Sequence, residues 1–242
     1  MCVYLPSRDE VDLIFTRVTA EAHVVRQLYT SLSSDERDRA ARFCFDKDRN
    51  SFIIARGLLR LVLGRHLNLP PEVIRFSYDF HGKPRVADVP NIKFNVSHSE
   101  GAAFHAVGRN HEIGADIERI RPLTNLEAIA RRYFCHAEYC DLLSTPAEQR
   151  LEAFFHCWTR KEAFVKAIGE GLSYPLNQFQ VTLRPDADAK LVSIEGSTTG
   201  KWLLHAVTPW PTYVAAVAVE DRHCRFRILK FETPADVVQT LP

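Results

Sequence analysis

A carboxylate stands on the apolar stripe of a long helix-forming segment, and this restricts how that segment can pack. At helical spacing, one face of the segment carries Leu151, Phe155, Trp158, Glu162 and Val165. An ionised carboxylate on an apolar face costs several kcal/mol unless it is paired or bound to a metal. Glu162 therefore needs a cationic partner in the folded chain.

A second acidic motif, Ile113–Glu118, has the alternation of a β-strand. With a period of two, Asp116 and Glu118 point to one side of the strand, away from Ile113. An Asp-x-Glu pair alone is most often solvated charge, but three converging carboxylates repel one another unless a divalent cation joins them. Oxygen ligands suit Mg²⁺, which proteins commonly hold together with the phosphates of a substrate. The sequence thus predicts a Mg²⁺ site at Asp116, Glu118 and Glu162, and a phosphate-bearing substrate.

The charge balance is close to neutral, with 31 lysine and arginine residues against 30 aspartate and glutamate residues. We therefore expect neither nucleic acid nor a membrane as a partner, and a polyanionic ligand must meet a local basic site. Apolar runs fall well short of about 18 residues and no signal-peptide pattern is present, so the cytoplasm is the expected compartment. The six cysteines lack a paired spacing, which favours reduced thiols.

The first half of the chain mixes strand and helix signals. Ser33 and Glu36 form a capping-box pattern that opens a basic helical segment. An amphipathic helix follows, whose apolar positions run to Gly64, and the stretch Leu67-Asn68-Leu69-Pro70-Pro71 is expected to stop it. Strands are predicted at 11–18, 73–78, 92–96 and 102–107.

The helix that carries Glu162 has clear start and stop signals. Thr145 is expected as its N-cap, with Pro146 at the first helical position and Glu148 as the capping-box partner. Gly169 is expected to end it.

The second half repeats the order of strand, helices and strands. It begins with the strand that carries Asp116 and continues with a helical stretch at 126–143. Strands are then predicted at 178–183, 201–207, 212–219 and 225–231. We therefore expect an α+β protein made of two similar halves, 1–110 and 111–242.

Several basic or polar residues are candidates to hold phosphate. They are Lys83 in the turn Gly82-Lys83-Pro84, the pair Ser97-His98 after a strand, and the helical arginines Arg39, Arg42, Arg49 and Arg56. The turn lacks Walker A spacing, because Ser77 stands where the first glycine belongs and Pro84 replaces the serine or threonine. The chain is therefore not a P-loop ATPase.

Four blocks of sequence follow one another in a recognisable order. They are His81-Gly-Lys83-Pro84, Phe94-Asn-Val-Ser97-His98-Ser99, Ile113-Gly-Ala-Asp116-Ile-Glu118 and Trp158-Thr-Arg-Lys161-Glu162-Ala-Phe-Val-Lys166. In this order they resemble the Sfp-type 4'-phosphopantetheinyl transferases, the enzymes that activate carrier proteins. The resemblance covers about residues 33–184. It implies two α+β halves related by pseudo-two-fold symmetry, with antiparallel sheets packed against helices.

The resemblance implies transfer of the phosphopantetheine arm of coenzyme A to a serine of an apo acyl or peptidyl carrier protein. The reaction would release 3',5'-ADP and use Mg²⁺ on the pyrophosphate. By resemblance, the metal positions are Asp116, Glu118 and Glu162, the coenzyme A contacts are Arg39, Lys83, Pro84, Ser97 and His98, and the catalytic residues are Glu162 and Lys166. The enzyme is expected to act as a monomer.

Lys166 follows Glu162 by one helical turn, so we expect it beside Glu162, where it would neutralise charge on the phosphates. Glu162, directly or through a water molecule, would accept the proton of the attacking serine. No covalent enzyme intermediate is needed.

Two alternatives use the same residues. A Mg²⁺-dependent phosphodiesterase or nuclease could employ the same carboxylates, although a nuclease predicts a broad basic stripe that the neutral composition does not favour. A non-catalytic relative that only binds carrier proteins predicts loss of the metal motif, which is intact here. Carriers of fatty-acid, polyketide and nonribosomal-peptide synthesis all stay open, because that choice lies in surface complementarity.

Overall fold

The structure, a computed structural model, describes residues 9–171 and 174–240. Its first half builds one sheet and a layer of helices. The elements are β1 (Glu10–Arg17), α1 (Ala22–Thr30), α2 (Ser34–Ala41), α3 (Asp46–Leu67), the hairpin strands β2 (Phe76–Tyr78) and β3 (Pro84–Val86), β4 (Ile92–Ser99) and β5 (Ala102–Arg109). Strand β5 pairs antiparallel with β1 on one side and β4 on the other. Helix α3 buries Leu58 and Val62 in a core shared with Ile14 and Val107 of this sheet.

The second half builds another antiparallel sheet against one long helix. Its elements are β6 (Ile113–Arg119), α4 (Leu126–Tyr133), α5 (His136–Ser144), α6 (Ala147–Ile168), β7 (Phe179–Val181), β8 (Leu191–Ile194), β9 (Leu203–Val207) and β10 (Tyr213–Val219). Strand β10 lies between β6 and β9 and is antiparallel to both. In the first half, β1 precedes the long helix α3 and pairs with β5, which also pairs with β4. In the second half, β6 precedes the long helix α6 and pairs with β10, which also pairs with β9. This common order supports the expected similarity of the halves.

Strand β10 is buried at every position because both of its faces are covered. Val214, Ala216 and Ala218 lie in the core beneath α6. Their neighbours Ala215 and Val217 face the first sheet, in a second core with Leu13, Phe15 and Phe104. The two sheets therefore pack face to face, with helices on the outside. The expected α+β class with antiparallel sheets is confirmed.

The chain returns to the first sheet near its end. Strand β11 (Arg225–Phe231) pairs parallel with β1, and α7 (Pro234–Thr240) packs on α3. A buried cluster around Asp12 on β1 holds β11 in this position. The Asp12 carboxylate accepts two hydrogen bonds from the Arg227 guanidinium on β11, at 2.6 and 2.7 Å. Its Oδ2 atom also lies 2.8 Å from Nε2 of His66 on α3. Residues 225–240 therefore extend the first sheet and its helix layer, although Phe226 also stacks on His205 of the second half, with ring centres 4.7 Å apart. The division at 110 and 111 stays a prediction about folding units.

The capping box at Ser33 and Glu36 and the helix stop at Gly169 are confirmed, the latter with φ at 78°. The predicted stop of α3 in the stretch 67–71 is confirmed. The helix ends at Leu67, and Asn68, with φ at 53°, provides a left-handed cap.

The predicted start of α6 is wrong by one residue. Pro146 occupies the N-cap and no side chain caps the helix, which begins at Ala147. Thr145 instead serves the preceding helix, because its N–H and its hydroxyl both donate to the carbonyl oxygen of Asp141. Helix α5 ends so close to α6 that one residue cannot cap both.

Other differences concern short elements. The stretch predicted at 126–143 is divided into α4 and α5, and α1, β8 and α7 were not predicted. Cys44, Cys135, Cys140, Cys157 and Cys224 are free thiols, while Cys2 lies outside the described residues. Among the residues that the structure describes, none of the helices combines the length and apolar character that a membrane span requires.

Candidate active site

Helix α6 contacts strand β6 almost backbone to backbone, and Gly114 makes this possible. A Cβ atom on Gly114 would lie 2.0 Å from the carbonyl oxygen of Ala163 and 2.2 Å from the amide nitrogen of Ala167. No larger residue fits between the two elements. This contact brings Glu162 and Lys166, both half-buried on α6, close to the acidic positions of β6.

Asp116 is the buried centre of the site, with 4% of its surface exposed. Its Oδ1 atom accepts a hydrogen bond from the Ser97 hydroxyl at 2.8 Å and from Lys166 Nζ at 2.6 Å. Its Oδ2 atom is buried and has no hydrogen-bond partner among the described residues. Burial raises the pKa of Asp116 even though Lys166 and Ser97 act to lower it. The carboxylate is thus held by three elements, β4, β6 and α6, and keeps one oxygen for a further partner.

Glu118 lies two residues further along β6 and is linked to the same neighbouring strand. The Ser99 hydroxyl donates to Glu118 Oε2 at 2.7 Å, and Arg121 lies 3.6 Å from the same oxygen. Strand β4 also reaches β6 through Asn95, whose Oδ1 accepts the N–H of Ala115 at 3.0 Å. The two halves of the chain therefore meet along β4 and β6 through side-chain hydrogen bonds.

Glu162 faces this junction from α6. Its pKa is raised, first by burial and then by the charge of Asp116 and Glu118, while Lys166 acts in the opposite direction. The charges of Asp116 and Glu118 therefore act on Glu162, and the metal site predicted at these three residues stays a prediction. Lys166 does not pair with Glu162 as expected, however, because its ammonium group bonds to Asp116 and Ser97 instead.

The residues fit a hard divalent cation. The donors are carboxylate oxygens, and Asp116 offers a buried oxygen that no other described residue bonds. Within 9–171 and 174–240, no three His, Cys, Asp or Glu side chains are gathered closely enough to coordinate one ion together. Mg²⁺ does not require this, since it commonly binds one or two carboxylates and completes its coordination with water and substrate phosphates.

Lys83 lies in a different ionic cluster. Its Nζ atom donates to Glu112 Oε2 and to the carbonyl oxygen of Ala167, both at 3.0 Å. Glu112 also accepts from Arg85 at 3.1 Å and from Lys93 at 2.7 Å. Although burial opposes it, these cations lower the pKa of Glu112 to about 2. The structure therefore places the Lys83 ammonium against the end of α6 rather than beside Asp116.

The other predicted phosphate contacts divide between two places. Ser97 faces Asp116, whereas Pro84 and the exposed His98 line a cavity of about 440 Å³ in the first half. Arg56 and Ser99 line the same cavity, and the Arg39 guanidinium lies 5.1 Å from the ring of Phe52, which forms part of its wall. Because Ser99 also binds Glu118, this cavity adjoins the acidic centre.

A second cavity, of about 290 Å³, adjoins the centre at Glu162. Its lining also includes the exposed Arg132 and several aromatic and apolar residues, namely Tyr133, Trp158, Val165, Tyr174, Pro175 and Leu176. The first cavity has a mainly apolar lining that carries Arg56, His98 and Glu100 as well. The acidic centre therefore adjoins two cavities, the first through the bond of Ser99 to Glu118 and the second through Glu162.

Sequence reasoning missed three residues that build the site. Gly114 and Glu112 lie beside the acidic motif, and the close approach at Gly114 was signalled only by a glycine inside a strand pattern. Arg56 was left without a role; it contacts Glu36, lies over the Phe76 ring and lines the first cavity. Of the other early arginines, Arg49 pairs with Asp46 at 3.0 Å.

Comparisons with known proteins match both halves of the chain. The family model described as the 4'-phosphopantetheinyl transferase superfamily matches residues 112–218, and a model for the N-terminal region of a 4'-phosphopantetheinyl transferase matches residues 19–108. The 4'-phosphopantetheinyl transferase HetI of Nostoc is 39% identical over 87% of this chain and 88% of its own. The chain belongs to the 4'-phosphopantetheinyl transferase superfamily.

The 4'-phosphopantetheinyl transferase Sfp of Bacillus subtilis is 38% identical over 68% of this chain and 70% of its own length. The psf-1 transferase of Bacillus pumilus is 40% identical over 69% of this chain. This protein is therefore an Sfp-type 4'-phosphopantetheinyl transferase, an enzyme that transfers phosphopantetheine to carrier proteins. Ser97 and His98 fall within the first matched region of the transferase, and Asp116 and Glu162 within the second.

Proposed function

We propose that this transferase moves the phosphopantetheine arm of coenzyme A to a serine of an apo acyl or peptidyl carrier protein, with Mg²⁺ as cofactor and 3',5'-ADP as product. The observation that carries the proposal is the buried Asp116 carboxylate, held by Ser97 and Lys166, with one oxygen that is left without a hydrogen bond in the described part of the chain. This arrangement suits a cation and a diphosphate at the junction of two cavities.

Of Asp116, Glu118 and Glu162, one or two would bind Mg²⁺ directly and the others through water, since no three such side chains among the described residues are gathered around one point. When bound, the ion supplies positive charge that stabilises the diphosphate as its charge shifts during transfer. Lys166 is close enough to Asp116 and Ser97 to add a second positive charge at the same place. Oxygen donors and a nearby lysine are the groups that phosphoryl transfer requires.

Glu162 is the group that accepts the proton of the carrier serine. It lines the second cavity and faces the acidic centre, so a serine that enters this cavity would meet its carboxylate. The serine oxygen forms a bond to the phosphorus that carries the pantetheine. The bond between that phosphorus and the oxygen of 3',5'-ADP breaks, and the electron pair leaves with the nucleotide.

The coenzyme A contacts are assigned to the first half. Arg39 and His98 would bind the phosphates of the nucleotide near the 440 Å³ cavity, with Pro84 in its wall. Ser97 would act at the acidic centre. Lys83 would contribute from the adjoining Glu112 cluster, where burial lowers the pKa of its ammonium group.

The proposal also places the enzyme in the cytoplasm as a monomer. The free thiols of the five described cysteines are consistent with a reducing compartment. Light scattering of the purified protein checks the monomeric state, and a dimer that persists on dilution would contradict it.

Mass spectrometry of purified apo carrier proteins, incubated with enzyme, coenzyme A and Mg²⁺, tests the activity. We expect one phosphopantetheine per carrier, no product from a carrier whose acceptor serine is replaced by alanine, and no product in EDTA. Hydrolysis of coenzyme A without carrier modification would favour a phosphodiesterase. Carrier binding without any change of mass would favour a non-catalytic relative.

A further inference from the structure

Glu138 and Lys161 form an ion pair in the interior of the second half. Both side chains are fully buried, and Glu138 Oε2 lies 2.8 Å from Lys161 Nζ. Lys161 directly precedes Glu162 on α6, and Glu138 is in the first turn of α5. The pair therefore lies immediately behind the proposed proton acceptor.

Both residues of the pair bind the same following segment. Lys161 Nζ donates to the carbonyl oxygens of Leu176 and Phe179, each at 2.7 Å, and lies 4.1 Å from the centre of the Phe179 ring. Glu138 Oε1 accepts the N–H of Val181 at 2.7 Å. The remaining contact closes the capping box of α5, because Glu138 Oε2 accepts the N–H of Cys135 at 2.8 Å.

The segment that the pair holds is one wall of the Glu162 cavity. Tyr174, Pro175, Leu176 and Asn177 line this cavity together with Glu162 and Trp158. Lys161 is thus joined through its backbone to Glu162 and through its ammonium group to Leu176 in the wall at 174–177. Movement of the pair would change the width of the cavity.

Stability alone is a weak reason for such a pair. Removing two charges from water costs as much as or more than their attraction returns, and apolar replacements of buried pairs are often as stable. We infer that Glu138 and Lys161 are positioning residues that fix the wall at 174–177 relative to Glu162, so that the carrier serine and the pantetheine arm meet the proton acceptor at the correct distance. This inference rests on the proposed transferase function.

Arg160 provides a matched control on the same helix. It is buried like Lys161 and donates to the carbonyl oxygen and hydroxyl of Thr182, at 2.7 and 3.1 Å. Its contacts lie beyond the cavity wall. Replacement of Arg160 should therefore lower the free energy of unfolding, as we also expect for replacement of Lys161. It should leave the position of the wall at 174–177 relative to Glu162 unchanged.

The experiment compares Lys161→Met, Glu138→Gln and Arg160→Met with the wild-type enzyme, at a temperature where circular dichroism shows each protein folded. We expect kcat/KM for the carrier to fall by about 10- to 100-fold in the first two variants. Affinity for 3',5'-ADP, measured by calorimetry, should stay within about twofold because the nucleotide is assigned to the first half. Arg160→Met should melt at a lower temperature and keep wild-type kinetics.

Two results would overturn the inference. Wild-type kcat and KM in Glu138→Gln, with only a lower melting temperature, would make the pair purely structural. This variant retains the side-chain volume, so it tests the idea even where Lys161→Met fails to fold. An equal loss of activity in Arg160→Met would show that activity falls after a substitution at any buried position of α6. Absence of transfer by the wild-type enzyme would instead contradict the proposed function.

Discussion

Lys166 Nζ on α6 lies 2.6 Å from Asp116 Oδ1 on β6, and this ion pair sets the arrangement of the acidic centre. Helical spacing would place Lys166 beside Glu162, but the contact of α6 with Gly114 turns its ammonium group toward the strand. The Ser97 hydroxyl on β4 completes the group, 3.2 Å from Lys166 Nζ. One lysine thus joins both halves of the chain at the proposed site of transfer.

Asp116→Asn should be inactive in transfer and at least as heat-stable as the wild type in EDTA. Burial penalises the Asp116 charge, as its raised pKa indicates, so neutralising it should leave the free energy of unfolding unchanged or raise it by up to about 1 kcal/mol. Scanning calorimetry measures this. Mg²⁺ should raise the melting temperature of the wild type, particularly with coenzyme A, and do little for the variant.

Asp12→Asn provides the contrast for that measurement. Although burial acts to raise it, the hydrogen bonds from His66 and Arg227 lower the pKa of Asp12, so its charge is stabilised by the fold. We expect this variant to lose about 3 kcal/mol. A comparable loss in Asp116→Asn would mean that Asp116 is a structural hydrogen-bonding residue, and the metal site would lose its main support.

Gly114→Ala should prevent folding or lower the free energy of unfolding by about 3 kcal/mol or more. The added Cβ would lie 2.0 Å from the carbonyl oxygen of Ala163, which is a steric overlap. Backbone atoms of a packed helix cannot move away without a large cost in free energy. Chemical denaturation measures the effect. Gly200→Ala is the control, because nothing lies within 4 Å of its Cβ position. Equal stability of the two variants would contradict the close contact of α6 and β6.

His98→Ala should weaken coenzyme A binding by about tenfold without loss of thermal stability. His98 is exposed in the wall of the first cavity, so its removal takes away a ligand contact and no packing. Calorimetric titration with coenzyme A in Mg²⁺ checks this. Unchanged affinity would remove His98 from the site.

Lys83→Ala should weaken coenzyme A binding and also lower the melting temperature. The second effect follows from loss of the bonds to Glu112 and to the carbonyl oxygen of Ala167, which is close to the end of α6. The same titration, together with a melting curve, separates the two effects. Wild-type affinity in a less stable variant would confine Lys83 to the ionic cluster.

The Glu112 cluster should make stability depend on pH in the acid range. Because the pKa of Glu112 falls from 4.5 to about 2 on folding, its contribution is fully present above pH 4.5 and is lost as pH falls toward 2. At neutral pH we expect Glu112→Gln to lose up to about 3 kcal/mol. The difference between wild type and variant, measured by urea denaturation, should shrink between pH 4.5 and 2. A difference that grows as pH falls would contradict the assignment.

Carrier docking should weaken with salt. The exposed Arg132 at the mouth of the Glu162 cavity offers a positive charge to an acidic carrier face, and salt screens such charges. We expect KM for the carrier to rise with ionic strength, and Arg132→Ala to flatten that rise. Arg75→Ala is the control, since Arg75 is exposed in the first half and pairs with Asp88. A KM that does not respond to salt would point to an apolar contact instead.

Local patterns determined much of this protein. The alternation of Ile113–Glu118 and the helical spacing around Glu162 predicted the acidic residues, their sides and the elements that carry them. Motif order identified the family. These predictions succeed because a period of two or 3.6 residues fixes which side chains share a face, whatever the element packs against.

Tertiary structure decided which cation meets which carboxylate. Lys166 binds Asp116 because Gly114 lets α6 approach β6, and Lys83 binds Glu112 because the β2–β3 hairpin folds against the end of α6. The return of β11 to β1 depends on the buried Asp12 cluster in the same way. These contacts join residues far apart in the chain, and distances between packed elements depend on the volumes of all the side chains between them. No local pattern contains that information.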